Sequence, residues 1–200
     1  MKAFVFVVAT LFTASATYAQ GTWAVDKAHS KVGFTVTHMM LSEVDGLFRT
    51  FDAKITSNKP DLSDAVFEFT GDVNSIDTGN ERRDGDLKSD KFFDAAKYPT
   101  LTFKSTSFQK AADKKYKVTG DLTMHGVTKP VTMDVVMNGP ITSDSPRGKQ
   151  DKVGFKMTGT LKRSDFNVGT IPVAVVSEEV ELKANGEFTK QAAATADAKK

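Results

Sequence analysis

Residues 116–137 read YKVTGDLTMHGVTKPVTMDVVM, and this stretch decides the fold. Tyr116, Val118, Gly120, Leu122 and Met124 share one face of an extended chain, and Lys117, Thr119, Asp121 and Thr123 share the other, which is the period of two of a half-buried strand. On the way back Val127, Val131, Met133, Val135 and Met137 share a face. A turn centred on His125-Gly126 sets Met124 opposite Val127, Gly120 opposite Val131, Val118 opposite Met133 and Tyr116 opposite Val135. Both apolar sets then lie on one side of one sheet. Lys129 falls on that side, opposite Leu122, and is read as a lysine near a strand end that snorkels to water rather than a buried charge.

The same alternation recurs outward from this hairpin. A short strand at residues 22–26 carries Trp23, and residues 30–38 put Val32, Phe34, Val36 and His38 in one phase. After a break at residues 42–46, Phe51, Ala53 and Ile55 are in phase and Phe48 is not, so the sheet bends near Arg49 or Arg49 points inward. Asn58-Lys59-Pro60 signals a turn, and Phe67, Phe69, Gly71 and Val73 form the next apolar face. Leu101 with Phe103, then Val153, Phe155, Met157, Gly159 and Leu161, then Val180, Leu182, Ala184, Gly186 and Phe188 repeat the scheme. Residues 139–151, with two prolines and several charges, read as a mobile surface loop. Between Asn74 and Thr100 the strands are interrupted by two candidate short helices, residues 81–87 and 90–96, placed as a partial cover over one end of the sheet.

Eight or more strands, each apolar on one face and with no long amphipathic helix to cover it, bury those faces against one another. An extended antiparallel up-and-down β-barrel of about eight strands, all-β with one or two short helices over an end, is the economical arrangement, and a two-sheet sandwich is its rival. Glycines on inward phases, Gly71, Gly120, Gly159 and Gly186, fit either a hollow interior or sharp coiling at barrel corners.

Bulk properties bound the function. Residues 1–19 have the form of a secretory signal peptide: Lys2, an apolar run over residues 3–12, and Thr17-Tyr18-Ala19 as the cleavage site, too short a run for the ~20 residues of a spanning helix. Domain organisation is therefore expected as a leader over 1–19, one barrel domain over 20–190 and a disordered tail over 191–200, with a periplasmic or secreted location. The absence of cysteine after that cleavage site excludes a lipoprotein anchor, and it leaves stability to packing and hydrogen bonds. Charges nearly balance, 27 Lys and Arg against 25 Asp and Glu, so nothing points electrostatically to nucleic acid or to an acidic membrane surface, and no stable membrane insertion is expected.

Catalytic signatures are absent: there is no Cys nucleophile, GxSxG, phosphate loop or HExxH. His29, His38 and His125 lack the spacing of a metal site, so neither metal nor enzyme activity is expected. His38 reads either as a polar group at a barrel mouth or as a histidine satisfied by backbone. Arg82, Arg83 and Asp84 with Lys88 could meet a polar or anionic headgroup, or form a solvated face. Phe92 and Phe93 cannot both face water cheaply, so at least one should plug or line the barrel end.

Four strings in order, WAVDKAHSKVGFTVTHMM (23–40), GLFRTF (46–51), RRDGDLKSDKFFDAAKYPTLTF (82–103) and GDLTMHGVTKPVTMDV (120–135), resemble the YceI-like family of exported lipid-binding proteins over nearly the whole span from Trp23 to Phe188. The family's RD-xx-L pattern appears as Arg83, Asp84 and Leu87, with Asp86 where a histidine is often found. The resemblance implies a lipocalin-like barrel whose apolar tunnel holds a long-chain isoprenoid, a quinone or polyprenyl lipid, as a bound ligand with no covalent cofactor. The lining expected on the inward phases is Phe34, Val36, Phe67, Phe69, Leu101 and Phe103, then Val118, Leu122, Met133 and Val135, then Phe155, Met157 and Leu182, with His38, Arg83, Asp84, Phe92 and Phe93 near the mouth. An enzyme acting on a lipid-like substrate through His38, Arg49 and Asp84, and a solid-core barrel serving as an interaction module, are the alternatives. An exposed edge or mouth could support a homodimer.

Overall fold

The computed structural model describes residues 20–145 and 148–192; the expected leader and residues 193–200 of the expected tail lie outside the described residues. Ten strands occur among them: β1 (Gly21–His38), β2 (Ser42–Phe48), β3 (Phe51–Ser57), β4 (Val66–Asp72), β5 (Ile76–Asp77), β6 (Thr100–Ala112), β7 (Lys115–Met124), β8 (Val127–Ser145), β9 (Gly148–Lys162) and β10 (Glu179–Lys190). One α-helix, α1 (Glu81–Lys88), and two short 3-10 turns complete the set.

The β7–β8 hairpin has the register that its alternation dictates, Tyr116 against Val135, Val118 against Met133, Gly120 against Val131 and Met124 against Val127. His125 (φ 51°) and Gly126 (φ 73°) both adopt the left-handed conformation that a two-residue hairpin turn requires. Lys129 does reach water, and its Nζ meets Asp165 Oδ1 at 2.9 Å. Outward from this hairpin the strands pair in the order β10-β9-β8-β7-β6-β4-β3-β1, all antiparallel, and β10 returns to pair with β1. The sheet is thus an eight-stranded closed barrel, with β2 and β5 added outside the ring.

The first strand makes the closure. The two strands expected at 22–26 and 30–38 are one, β1, with an irregularity between Asp26 and Lys31. One edge of β1 holds β10, while the other holds β3 along Gly21 to Ala24 and β2 along Gly33 to His38. The break expected at 42–46 is β2. Its inward positions are Val44, Gly46 and Phe48, and the glycine hides the alternation because the Phe34 ring lies where its side chain would be, 2.3 Å from a built Cβ. Phe48 and Phe51 are both buried since the chain bends between them at Arg49, which points out to Asp77.

Two other expectations are corrected. Within the expected loop over 139–151, residues 139–145 and 148–151 are the paired ends of β8 and β9, which continue past the barrel as a two-stranded ribbon from Ile141–Lys152 to Ser145–Gly148. Both faces of such a ribbon are solvated, so no apolar period marks it. Residues 90–96 form turns, not a second helix: the Phe93 and Ala95 amides donate to the Leu87 and Lys88 carbonyls, and Asp94 has φ 47°.

Toward the β6–β7 turn the barrel interior is filled by side chains. There Val118 and Ile55 are 0% exposed and Val135 1%, and Phe108 stacks on Tyr116 at 4.6 Å and 6°. Close strand approach on this side demands a glycine at 120, where a Cβ would sit 2.4 Å from the Lys104 carbonyl oxygen.

Candidate functional site

Above that packed end the barrel is hollow. A cavity of about 490 Å³ occupies the half toward the β1–β2 turn, within the roughly 300–1,000 Å³ range of ligand pockets. Its floor is aromatic: Phe67 meets Phe155 edge-on at 5.0 Å and 89°, and Phe155 meets Phe188 at 5.9 Å and 83°. Alternate inward residues make the wall. Phe34 and Val36 come from β1, Phe69 from β4, Leu101 and Phe103 from β6, Leu122 from β7, Met133 from β8, Met157 from β9 and Leu182 from β10. Met133, Met157 and Leu182 are only partly buried although they face inward, because the space beside them is the cavity itself.

The rim is built by three segments. Helix α1 starts at Asn80, whose side chain accepts from the Arg83 amide at 3.1 Å, and carries Glu81 and Asp84 in its first turn and Lys88 in its last, as the helix dipole favours. Arg83 Nε and Nη2 donate to Thr78 Oγ1 and the Thr78 carbonyl, each at 2.8 Å, while Asp84 Oδ1 accepts from the Thr78 amide at 2.9 Å and from its hydroxyl at 2.5 Å. The Arg-Asp pair thereby fastens the helix to the loop before it. Arg83 still lines the rim, whereas Asp84 faces Thr78 and does not. Next come Phe92 and Phe93, both lining the cavity, with the Phe92 ring packed against Gly169.

The third segment, residues 163–178, was not legible in the sequence. Arg163 organises it: this residue is only 6% exposed, and its guanidinium donates to the carbonyls of Gly169 at 2.7 Å, Ile171 at 2.6 Å, Ser177 at 3.1 Å and Val176 at 3.2 Å. Five donors in a planar fork suit a loop that curls around one side chain and must satisfy its own carbonyls. Val168, Ile171, Val175 and Val176 then project into the cavity beside His38. The only hint in the sequence was an arginine ahead of an apolar run with no alternation.

Of the residues expected to line a tunnel, Val118 and Val135 lie elsewhere, in the packed end, and Asp84 lies behind the rim; the others are on the cavity surface. His38 is at the rim, Arg49 is outside with Asp77, and Asp84 is bound to Thr78, so the three polar groups of an enzyme are not brought together. The Asp77 carboxyl is held below its ordinary pKa by the Gly79 amide and by Arg49. Outside the barrel, Asp26, His29 and Glu187 place donor atoms within 4.8 Å of one another, and His29 Nδ1 is 2.8 Å from Asp26 Oδ2. The Asp26 hydrogen bond raises the His29 pKa, and the same bond lowers that of Asp26.

A chain of this sequence and fold has known counterparts. The model of the YceI-like domain matches residues 23–188. The chain belongs to the YceI-like family. It is 35% identical over 188 residues to Protein YceI of Salmonella newport, covering 93% of this chain and 96% of that one. Among solved structures it resembles BcnA of Burkholderia cenocepacia, with 31% identity, a TM-score of 0.71 and coverage of 82% and 98%. A polyisoprenoid binding domain from Saccharophagus degradans shares the fold at 16% identity, with a TM-score of 0.62 and coverage of 84% and 98%. Among the described residues no helix is long and apolar enough to cross a membrane.

Proposed function

We propose that this YceI-like protein is an exported carrier or sequestering protein that holds a long-chain isoprenoid, a quinone or polyprenyl lipid, in the barrel cavity without covalent chemistry. The observation that carries the reading is the cavity of about 490 Å³, walled by aromatic, branched and methionine side chains over an aromatic floor. Such a surface recognises a ligand by area and shape: each CH₂-sized unit transferred from water contributes ~0.8 kcal/mol, and an isoprenoid chain supplies many. Methionine thioethers let the wall follow a branched guest. The same fold in the Saccharophagus degradans domain is described as polyisoprenoid binding, which supports the ligand class. Arg83, His38 and Asp86 at the rim are the groups that a headgroup would meet. Export rests on the form of residues 1–19.

The test is organic extraction and mass spectrometry of the protein purified from an exported fraction without detergent. A stoichiometric isoprenoid is expected. A protein that carries none, and that also takes up neither quinones nor polyprenols on reloading, overturns the proposal.

A further inference from the structure

The turn joining β1 to β2 is apolar and exposed. Met39 is 49% exposed, Met40 77% and Leu41 86%. Both methionines have positive φ, 54° and 56°, a shape that residues with a Cβ adopt at a cost. Beside them runs the segment 170–177, tied to the turn by the Met39 amide on the Val175 carbonyl at 2.9 Å and by paired bonds between Thr37 and Ser177. Pro172, Val173 and Ala174 of that segment are exposed, while Ile171, Val175 and Val176 line the cavity. Apolar surface therefore runs without interruption from the cavity wall over its rim to the outside.

Charge is missing from this tip. Neither THMMLS (37–42) nor TIPVAVVS (170–177) contains Asp, Glu, Lys or Arg, in a chain of which 26% is charged. The first charges after each stretch are acidic, Glu43 and Asp45 after one and Glu178 and Glu179 after the other, and cations stand beside them: Arg163 lies 3.9 Å from Glu178, and Lys183 feels the charges of Glu43 and Asp45. We propose that the 39–41 turn and the 172–174 loop form an insertion tip that seats the cavity mouth on an uncharged lipid bilayer, an inference that rests on the isoprenoid reading of the cavity. An apolar tip with no charge of its own complements a zwitterionic interface, since its insertion needs no electrostatic attraction to hold it. It is also too small for a stable protein partner, since a standard interface engages roughly 20–30 residues a side. A long isoprenoid resides in bilayers, and its passage into the cavity avoids water only if the rim touches the membrane.

The chain has no cysteine, so single labels are clean. The proposed experiment places an environment-sensitive nitrobenzoxadiazole dye at Leu41→Cys and, as control, at Asp113→Cys in the β6–β7 turn at the opposite end. With phosphatidylcholine vesicles, blue-shifted and brighter emission is expected at position 41 and no change at 113. Replacing part of the phosphatidylcholine by phosphatidylglycerol should change the response by less than about twofold, at low and at high salt. Unlabelled protein should float with phosphatidylcholine vesicles, and the Met40→Asp/Leu41→Asp variant should lose at least tenfold in bound fraction. No change at 41, flotation of the double variant like that of the parent, or docking that requires phosphatidylglycerol overturns the proposal, as does a vesicle-independent shift at 41 with dimerisation. Uptake of the polyprenol solanesol from detergent micelles is measured in parallel: docking without uptake refutes the cavity's assignment and supports the tip, and uptake without docking does the reverse.

Discussion

Leu182→Asp separates ligand binding from folding. Leu182 lies on β10 between Phe34 and Gly159, and it is partly buried because it faces the cavity. In the empty protein the introduced carboxylate stays hydrated by cavity water, so only part of the leucine's packing is lost, about 1–2 kcal/mol of folding stability. An apolar chain filling the cavity strips that water. The effective desolvation of a carboxylate is several kcal/mol, so a cost of about 3–4 kcal/mol weakens binding by roughly 10²–10³-fold at 1.4 kcal/mol per decade. Leu182→Asn, polar and neutral, should cost about 1–3 kcal/mol and fall between. Because binding penalises only the charged form, affinity of the Asp variant should recover as pH falls and the carboxyl is protonated. Equilibrium uptake of radiolabelled polyprenol, with urea denaturation alongside, gives both numbers. A folded Leu182→Asp protein that binds at the parent's affinity, or shows no recovery on acidification, refutes the reasoning. Phe155→Asp is a poorer probe, since this 3% exposed ring is packed between Phe67 and Phe188 and its loss damages fold and site together.

Glycine-to-alanine changes should have opposite signs at two positions: Gly120→Ala drives a Cβ into the Lys104 carbonyl and should cost about 1–3 kcal/mol, while Gly85→Ala in α1 meets nothing within 4 Å and should gain about 0.5–1 kcal/mol, both read from urea midpoints. Arg163→Leu removes charged hydrogen bonds worth about 1.5–3 kcal/mol each, so amides of residues 167–178 should exchange at least about tenfold faster while β7 and β8 keep their protection. The His29 ring should titrate above its ordinary 6.5 by NMR and return toward it in Asp26→Asn. The raised His29 contributes below 6.5 and is lost as pH rises through its folded value, while the lowered Asp26 contributes above 3.8 and is lost as pH falls through its own. The pair therefore holds between those limits, and a His29 titrating at or below 6.5 would show it absent.

What was legible in the sequence was whatever one face of a strand writes into the chain. The β7–β8 register followed from alternation and one turn, since a one-residue slip would have turned Val118 and Met133 to water. The inward phases of Phe34, Phe103 and Met157 were legible for the same reason. The strand β2 was hidden by Gly46, the ribbon beyond Asn138 by having two wet faces, and the rim loop by being shaped around Arg163 rather than by period. Alternation also marks which residues point inward without saying how deep the hollow runs, so Val118 and Val135 share the phase of the wall but belong to the packed end. The Arg83-Asp84 pair was visible as charge, and its attachment to Thr78 depended on a turn that only the folded chain displays.

Closure through β1 sets the order in which the chain can fold. The barrel shuts when Trp23 meets Lys190 and Phe34 meets Leu182, segments from opposite ends of the polypeptide. Every other ring pairing joins strands that follow one another, apart from the passage around β2 and the β4–β6 excursion. The entropy of bringing such distant segments together must be met before their contacts return anything, which makes this step slow and late. Until β10 arrives, β1 and β9 both present unpaired edges, and the aromatic floor lacks Phe188. A nascent chain therefore remains an open, edge-exposed sheet until its final strand has been synthesised, and truncation before Glu179 should leave an aggregation-prone sheet, not a smaller barrel.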